Sequence, residues 1–379
     1  MNRVVPALAP PLEAAIVSPL SAAGDVPAWR ALTTNSTDPN PFFGPDFLMP
    51  FLENMRQPPV RLAVVRNAST GTWLAAAPVG RRRLGLAVPA ATSWATEYSP
   101  LGSPLIHRDT NNQVVGLLLD TMSEAAGSPL VAFPYLPLDS STAARLLTTD
   151  LTWRWSLAHE ASRAAHSAGA HGEAQFAEAF SGKKRKELMR QMRRLADLGE
   201  IELSSTQGKA GVPAFECFLE LEARGWKGRS GTALKMRRET EDFARQMIAT
   251  RAAHGGIRID QLLLDGRPIA MLVLLREGSR IFSWKIAYDE AFSKYSPGTQ
   301  IALYAMEKNL RDDELTGADS LAVPGHHMIE PLWRGRLPTA TLLLSKSRSG
   351  HFLMKAGQMD VDLEKSARAA ARRWLKRKD

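Results

Sequence analysis

The chain has 379 residues, 44% hydrophobic and 23% charged, with a formal net charge of +9. This is the composition of a soluble globular protein, long enough for two domains with cores of their own. A membrane span is excluded, because the longest apolar run, Ile269 to Leu275, falls far short of the ~20 residues that a spanning helix needs.

The single cysteine, Cys217, excludes an internal disulfide and suits a reducing cytoplasm, the expected location. Its neighbours Phe215, Phe218, Leu219 and Leu221 place it in an amphipathic helix, as a buried packing residue rather than a nucleophile. The Pro-rich start, interrupted by Glu13, makes a poor signal peptide.

In chain order, residues 1–28 carry no clear period and read as a loose lead-in. Short helices are expected around Trp29 and from Asp46 to Met55, then a hairpin of Val60–Val65 and Thr72–Ala77 about a turn-rich connection. Extended segments at Leu84–Val88 and Leu105–Ile106, a helix from Asn111 to Ala125 and a strand from Pro129 to Tyr135 follow. Alternating strands and helices favour an α/β layered domain.

From Phe180-Ser181-Gly182 a helix runs with Leu188, Met192 and Leu195 on one stripe and Lys186, Arg190 and Arg193 opposite; Gly199 ends it. The basic face is either solvated or a contact for a phosphate-bearing ligand. A helix holding Cys217 leads to the glycine-punctuated loop Trp226–Gly231, and a helix from Arg238 to Ala253 leads to a strand, Ile257–Leu264. The turn dipeptides Asp265-Gly266 and Glu277-Gly278 precede two further strands, Pro268–Leu275 and Arg280–Tyr288, at hairpin spacing. The next loop, Ser296-Pro297-Gly298-Thr299-Gln300, opens a helix with Ser296 as N-cap and Pro297 at its first position. A strand that ends in such a loop aims free N–H groups at an anion.

The segments AYDEAFSKYSPGTQI (287–301) and FECFLELEARGWKGRSGTAL (215–234) resemble the CelD/BcsL-like acetyltransferases of the GNAT type, associated with cellulose and exopolysaccharide biosynthesis and distantly related to FemAB transferases. The resemblance covers residues 29 to 345, with specific motifs from 181 onward. It implies an α/β, GNAT-like fold of two tandem units with mixed central sheets flanked by helices. The units are a degenerate one at 29–170 and a catalytic one at 171–348, and a basic tail follows at 349–379. It further implies acetyl-CoA or another acyl-CoA as cosubstrate. Cofactor contacts would come from Phe282, Trp284 and Ile286 of the strand and from Ser296, Pro297, Gly298, Thr299 and Gln300 of the pyrophosphate loop. Trp226, Lys227, Asp319 and Trp333 match segments that border the acceptor pocket. Where this family has a His, the chain has Glu222, and the Tyr98-Ser99-Pro100 echo of Tyr295-Ser296-Pro297 is treated as coincidence.

An amine acceptor must lose a proton before attack, and the developing oxyanion needs N–H donors. Asp289 is the first candidate base, because the motif contains it, with Lys285 and His327 of the pair His326-His327 as the other catalytic candidates. No HExxH, CxxC, GxSxG or Walker pattern is present, and adjacent histidines point apart on a regular element, so no metal is expected.

The expected function is acyl transfer to an amine or hydroxyl of a saccharide or cell-envelope precursor. One alternative is an aminoacyl-tRNA-dependent transferase with the basic helix holding RNA; another is a non-catalytic partner of a polysaccharide machine. Seven basic residues and one acid lie between Lys365 and Asp379 and supply +6 of the +9, so no DNA binding is expected. That tail reads as a solvated end, with an anionic membrane surface or nucleic acid as the alternative contact.

Overall fold

The computed structural model describes residues 11–149, 152–180 and 182–375; Ser181, the first ten residues of the expected lead-in and Lys376–Lys378 of the tail lie outside them. The first half comprises β1 (Leu12–Val17), α1 (Val26–Thr34), α2 (Pro45–Asn54), β2 (Arg61–Asn67), β3 (Trp73–Arg83), β4 (Pro89–Ser93), β5 (Leu105–Ile106), α3 (Asn112–Ala126), β6 (Val131–Pro137), α4 (Ser141–Leu147) and β7 (Arg154–Ser167). Helices α5 (Gly169–Ala179) and α6 (Gly182–Ala196) lead to the second half. This has β8 (Ile201–Gln207), α7 (Gly211–Arg224), α8 (Trp226–Arg229), α9 (Arg238–Ala252), β9 (Ile257–Leu264), β10 (Arg267–Glu277), β11 (Arg280–Tyr288), α10 (Pro297–Leu310), β12 (Gly317–Asp319), β13 (Gly335–Ser345) and α11 (Arg348–Leu375).

All strands join one sheet in the order β1-β2-β3-β4-β6-β13-β7-β12-β11-β10-β9-β8, with β5 appended to β3. From either edge inward the plan is the same, and in each half the parallel junction falls where the fourth strand meets the fifth, β4 with β6 and β11 with β12. The fold is thus a GNAT-like α/β fold in two tandem units. Its final strands are exchanged: β7 pairs with β12, β13 pairs with β6, and β7 and β13 pair with each other.

Local chemistry sets these elements. Asp265 and Gly266 both take positive φ, 50° and 73°, the geometry of a tight hairpin turn, which fixes the β9/β10 register. Asn111 caps α3 by accepting from the Val114 N–H, and Gly127 ends it at φ 58°. Strand β10 is apolar on both faces because both are covered. Met271, Val273 and Leu275 meet α7 and α9 through Phe215, Phe218 and Phe243, while Ile269, Leu272 and Leu274 meet α6 and α10 through Leu188, Ile301 and Ala305. Phe47 and Phe51 of α2 pack edge-on against Phe243, so the first core cluster spans both halves.

Several expectations need correction. Residues 12–17 of the lead-in form an edge strand, hidden in the sequence because its residues are only partly buried. Segment 349–375 is not a loose tail: Met354 and Val361 are buried against Leu130 and Leu343. Cys217 is exposed, since α7 turns Phe215, Phe218 and Leu219 inward and Cys217 outward. Across the expected boundary near residue 170 the sheet is continuous, since β7 pairs with β12 and β13 with β6. Gly199 does not cap α6 with positive φ; it lies against the Asp265 carboxylate, which a Cβ there would displace from its bond with the Glu200 N–H.

Candidate active site

Strands β11 and β12 share three register pairs, Arg280 with Gly317, Ile281 with Ala318 and Phe282 with Asp319, and then part. Strand β11 continues to Tyr288, whereas the chain beyond β12 turns away at Leu321, which takes a left-handed φ of 53°. There the β10/β11 register slips, with Leu274 opposite Ser283 but Val273 opposite Lys285, so Trp284 is the bulged residue. The parting opens a cleft of about 410 Å³, walled by Ser283–Tyr288 on one side, by Ser320–Ala322 and His326–Ile329 on the other, and closed by Glu222, Trp226 and Lys227. That volume is in the range of small-molecule sites. Through Tyr288, His327 and Met328 it continues into a hollow of about 280 Å³ at the start of α10, lined by Lys184, Ser296, Pro297, Gly298 and Thr299.

The first half has the same construction, with its gap differently filled. Ser93-Trp94 and Tyr98 stand at the end of its fourth strand where Ser283-Trp284 and Tyr288 stand in the second half; Ser93 pairs with Val79 of β3 as Ser283 pairs with Leu274 of β10. The following chain fills the gap. Ser93 Oγ donates to the Gly102 carbonyl at 2.9 Å, and a Cβ on Gly102 would come within 2.2 Å of the Pro134 carbonyl.

Inside the open cleft, Lys285 makes no hydrogen bond or ion pair among the described residues. Its ammonium lies 5.0 Å from the Tyr98 ring centre and 5.8 Å from that of Trp284. Burial lowers its pKa, with Glu222 opposing and Lys227 reinforcing that shift. Glu222 is buried, and its carboxylate accepts from Lys227 Nζ at 2.8 Å and from the Leu234 N–H at 2.9 Å. Lys227 also donates to the Ile286 carbonyl at 2.8 Å, so it ties α8 to β11, and Glu222 balances its charge. The two histidines stack in parallel, 5.4 Å apart at 5°, because they lie on an irregular loop rather than a regular element. Nδ1 of His326 is buried without a partner, and burial, then His327, lowers its pKa.

The remaining expected residues fall on two sides. Trp284 and Ile286 line the cleft, half-exposed Trp226 stands at its mouth, and Ser296 to Thr299 line the adjoining hollow. Phe282 belongs to the core beneath. Asp289 does not reach the cleft; it caps the turn of 290–295 by accepting from the Ala291 N–H at 3.0 Å and pairs with Arg267 at 3.0 Å. Asp319 is buried, 2.5 Å from Arg163 of β7, and also accepts from the Leu321 N–H at 2.9 Å, fixing the turn that opens the cleft. Trp333 is fully buried, edge-on to His166 at 4.7 Å, and touches no cavity described here.

At the start of α10, Ser296 is the N-cap in a left-handed conformation without a side-chain cap bond. Its carbonyl takes the N–H groups of both Thr299 and Gln300, at 2.9 and 3.0 Å, and Gln300 donates its side chain to the Leu188 carbonyl. The loop therefore offers the Gly298 N–H rather than a full cradle. A Cβ on Gly298 would sit 3.0 Å from the Met328 sulfur and 3.2 Å from the Tyr288 ring, so glycine keeps this passage open. The nearby cation is Lys184, whose Nζ donates to the Pro331 carbonyl at 3.2 Å; burial lowers its pKa, with Arg334 adding to the effect. One free N–H and one ammonium suit a phosphate oxygen. From sequence Lys184 was only one member of a basic run, and Tyr98 only part of an echo treated as coincidence; Tyr98 reaches the cleft from the other half.

Residues 182–325 match the family model described as Acetyltransferase (GNAT) domain. Among solved structures, the chain is similar to FemX, with 10% identity, 84% of this chain and 95% of that one covered, and a TM-score of 0.54. It is also similar to the C-terminal domain of a protein assigned as a lysylphosphatidylglycerol synthetase from Agrobacterium fabrum, at 12% identity over 88% of this chain and 95% of that chain, with a TM-score of 0.53. No protein of curated function matches the sequence.

Proposed function

We propose that this protein transfers an acetyl or other acyl group from acyl-CoA to an amine or hydroxyl of a saccharide or cell-envelope precursor. The observation that carries the reading is the parting of β11 from β12, which leaves one edge of Ser283–Tyr288 without a strand partner along the wall of the cleft. Acyl-CoA supplies an activated thioester carbonyl; Gly298 and Lys184 would hold its phosphates. The unpaired edge offers N–H groups to the oxyanion, which is stabilised best by donors fixed before the reaction. Lys285 is the base of this mechanism, because its burial favours the neutral amine that can take the acceptor's proton. The acceptor nitrogen or oxygen then forms a bond to the acyl carbon, the C–S bond breaks, and the thiolate leaves. A hollow lined by Glu97, Tyr135 and His159 shares the Leu321–Ala322 wall with the cleft and gives the acceptor its own approach.

Calorimetric titration with acetyl-CoA tests the reading. Micromolar binding that is lost in Gly298→Trp supports it, and the absence of wild-type binding overturns it in favour of a non-catalytic role or of the second reading. That second reading is aminoacyl transfer from tRNA, favoured by the exposed Lys183, Arg185, Lys186, Arg193 and Arg194 that share α6 with Lys184. It requires tRNA binding that weakens steeply with salt.

A further inference from the structure

Helix α11 packs one face on the sheet and leaves another uncovered. Its inner residues Met354 and Val361 are buried, whereas Phe352, Met359 and Leu363 are 74%, 74% and 58% exposed. At 3.6 residues per turn these three fall within a narrow arc of the helix. The helix cannot roll to hide them. The Asp360 carboxylate, on its flank, accepts from the N–H groups of Gly85, Leu86, Ala87 and Val88 at 2.8 to 3.1 Å. Burial raises the Asp360 pKa, but these four donors outweigh it and hold it below the usual carboxylate value. The loop so fixed adds exposed Leu86 beside the helix, and Lys355 is exposed on α11 itself. Beyond Glu364 the sequence turns strongly basic, with Lys365, Arg368, Arg372, Arg373, Lys376, Arg377 and Lys378 against one acid.

We infer that this face docks on an anionic lipid surface, with Phe352, Met359 and Leu363 entering the interface and the cations around them pairing with lipid phosphates. An apolar stripe flanked by Lys355 and Asp362 and continued by a strongly basic terminal sequence suits that partner, and the two signals together give the stable attachment that neither gives alone. Among the described residues no helix is long and apolar enough to cross a membrane, so the contact is peripheral. The inference does not rest on the acyl-transfer reading, whose failure would show separately in the acetyl-CoA titration.

The test is co-sedimentation of the full chain with vesicles of phosphatidylcholine alone and of phosphatidylcholine with phosphatidylglycerol. Binding confined to the anionic vesicles and released by salt is expected. The triple variant Phe352→Asp, Met359→Asp, Leu363→Asp should lose at least tenfold in partitioning, and Lys355→Gln about fivefold, from roughly 1 kcal/mol per basic residue near the surface. Both variants replace exposed side chains, and unchanged thermal unfolding would confirm that they fold. Equal or absent binding to the two vesicle types overturns the proposal, as does a triple variant that binds undiminished. Tighter binding to duplex DNA than to anionic vesicles, or a dimer that the triple variant dissociates without any lipid effect, would assign the face to another occupant.

Discussion

His166 gives the sharpest prediction, because it is a buried titratable group whose surroundings are fixed on every side. It is 2% exposed, on β7 next to β12, with its ring edge-on to Trp333. Nε2 faces the side-chain amide nitrogen of Asn309 at 2.9 Å and must accept there, so the proton sits on Nδ1, 2.9 Å from the Ser167 carbonyl. Burial pushes the ring from its ordinary value of 6.5 down to about 4; the Ser167 carbonyl opposes this, and Arg258 and Arg280 add to it. Rotation of the Asn309 amide, whose Oδ1 lacks a partner, would relieve the donor–donor contact of a protonated ring, so the cost that survives is desolvation. The unfolded chain binds this proton below pH about 6.5 and the native chain does not, so stability is full above that pH and falls as acid is added, until the folded pKa is reached. At 1.36 kcal/mol per pKa unit the loss between those limits is roughly 3 kcal/mol. The assay is urea unfolding at half-unit steps from pH 7.5 to 4.5, for the wild type and for His166→Gln. The variant should be less stable at neutral pH, and the gap should narrow toward pH 4.5. A gap that stays constant with pH would refute the reasoning.

Three further outcomes follow from the site and its supports. Lys285→Gln should lower the turnover number about 10²- to 10⁴-fold while leaving acetyl-CoA affinity within a few-fold, because it removes a base and not a binding contact; radiolabelled acetyl transfer alongside calorimetry separates the two. Lys227→Met leaves Glu222 buried with its Leu234 N–H bond alone, at a cost of about 3–5 kcal/mol, and the double variant with Glu222→Leu should recover much of it; chemical denaturation decides. Asp360→Asn should cost about 2 kcal/mol by weakening four charge-assisted bonds. Because the folded Asp360 pKa is depressed, that contribution is present above the ordinary carboxylate range and lost as pH falls through the folded value, so wild type and variant should converge in strong acid.

Much of the second half was legible in its sequence. The hairpin around Asp265-Gly266, the strand Arg280–Tyr288 and the helix at Pro297 stand where turn chemistry and apolar runs put them, and Gly298 proves to be a close-approach glycine. The roles of single residues were less legible. Asp289 and Asp319 are carboxylates in motif positions, but their partners Arg267 and Arg163 lie 22 and 156 residues away, and only the fold shows them already engaged. Trp226 and Trp333 look alike in sequence; one stands at a cleft mouth and the other is fully enclosed. Edge strand β1 and the docking of helix α11 were missed because β1 is only partly buried and the partners of both are distant in sequence. The Ser-Trp…Tyr correspondence of the two halves was present in the text of the chain, yet only equivalent strand positions distinguish it from the misleading Tyr-Ser-Pro echo.

The exchanged strands also set an order of events during synthesis. Leu136 of β6 finds its partner in Ala340 of β13, so the sheet of the first half stays unfinished until nearly the whole second half has left the ribosome. Meanwhile β6 presents an open apolar edge, the kind of surface that pairs wrongly with other chains. Long-range pairing of this sort also slows folding. Fragments cut between the halves should therefore aggregate when expressed separately and recover structure when made together, and the whole chain should depend on chaperones more than two independent units of its size would.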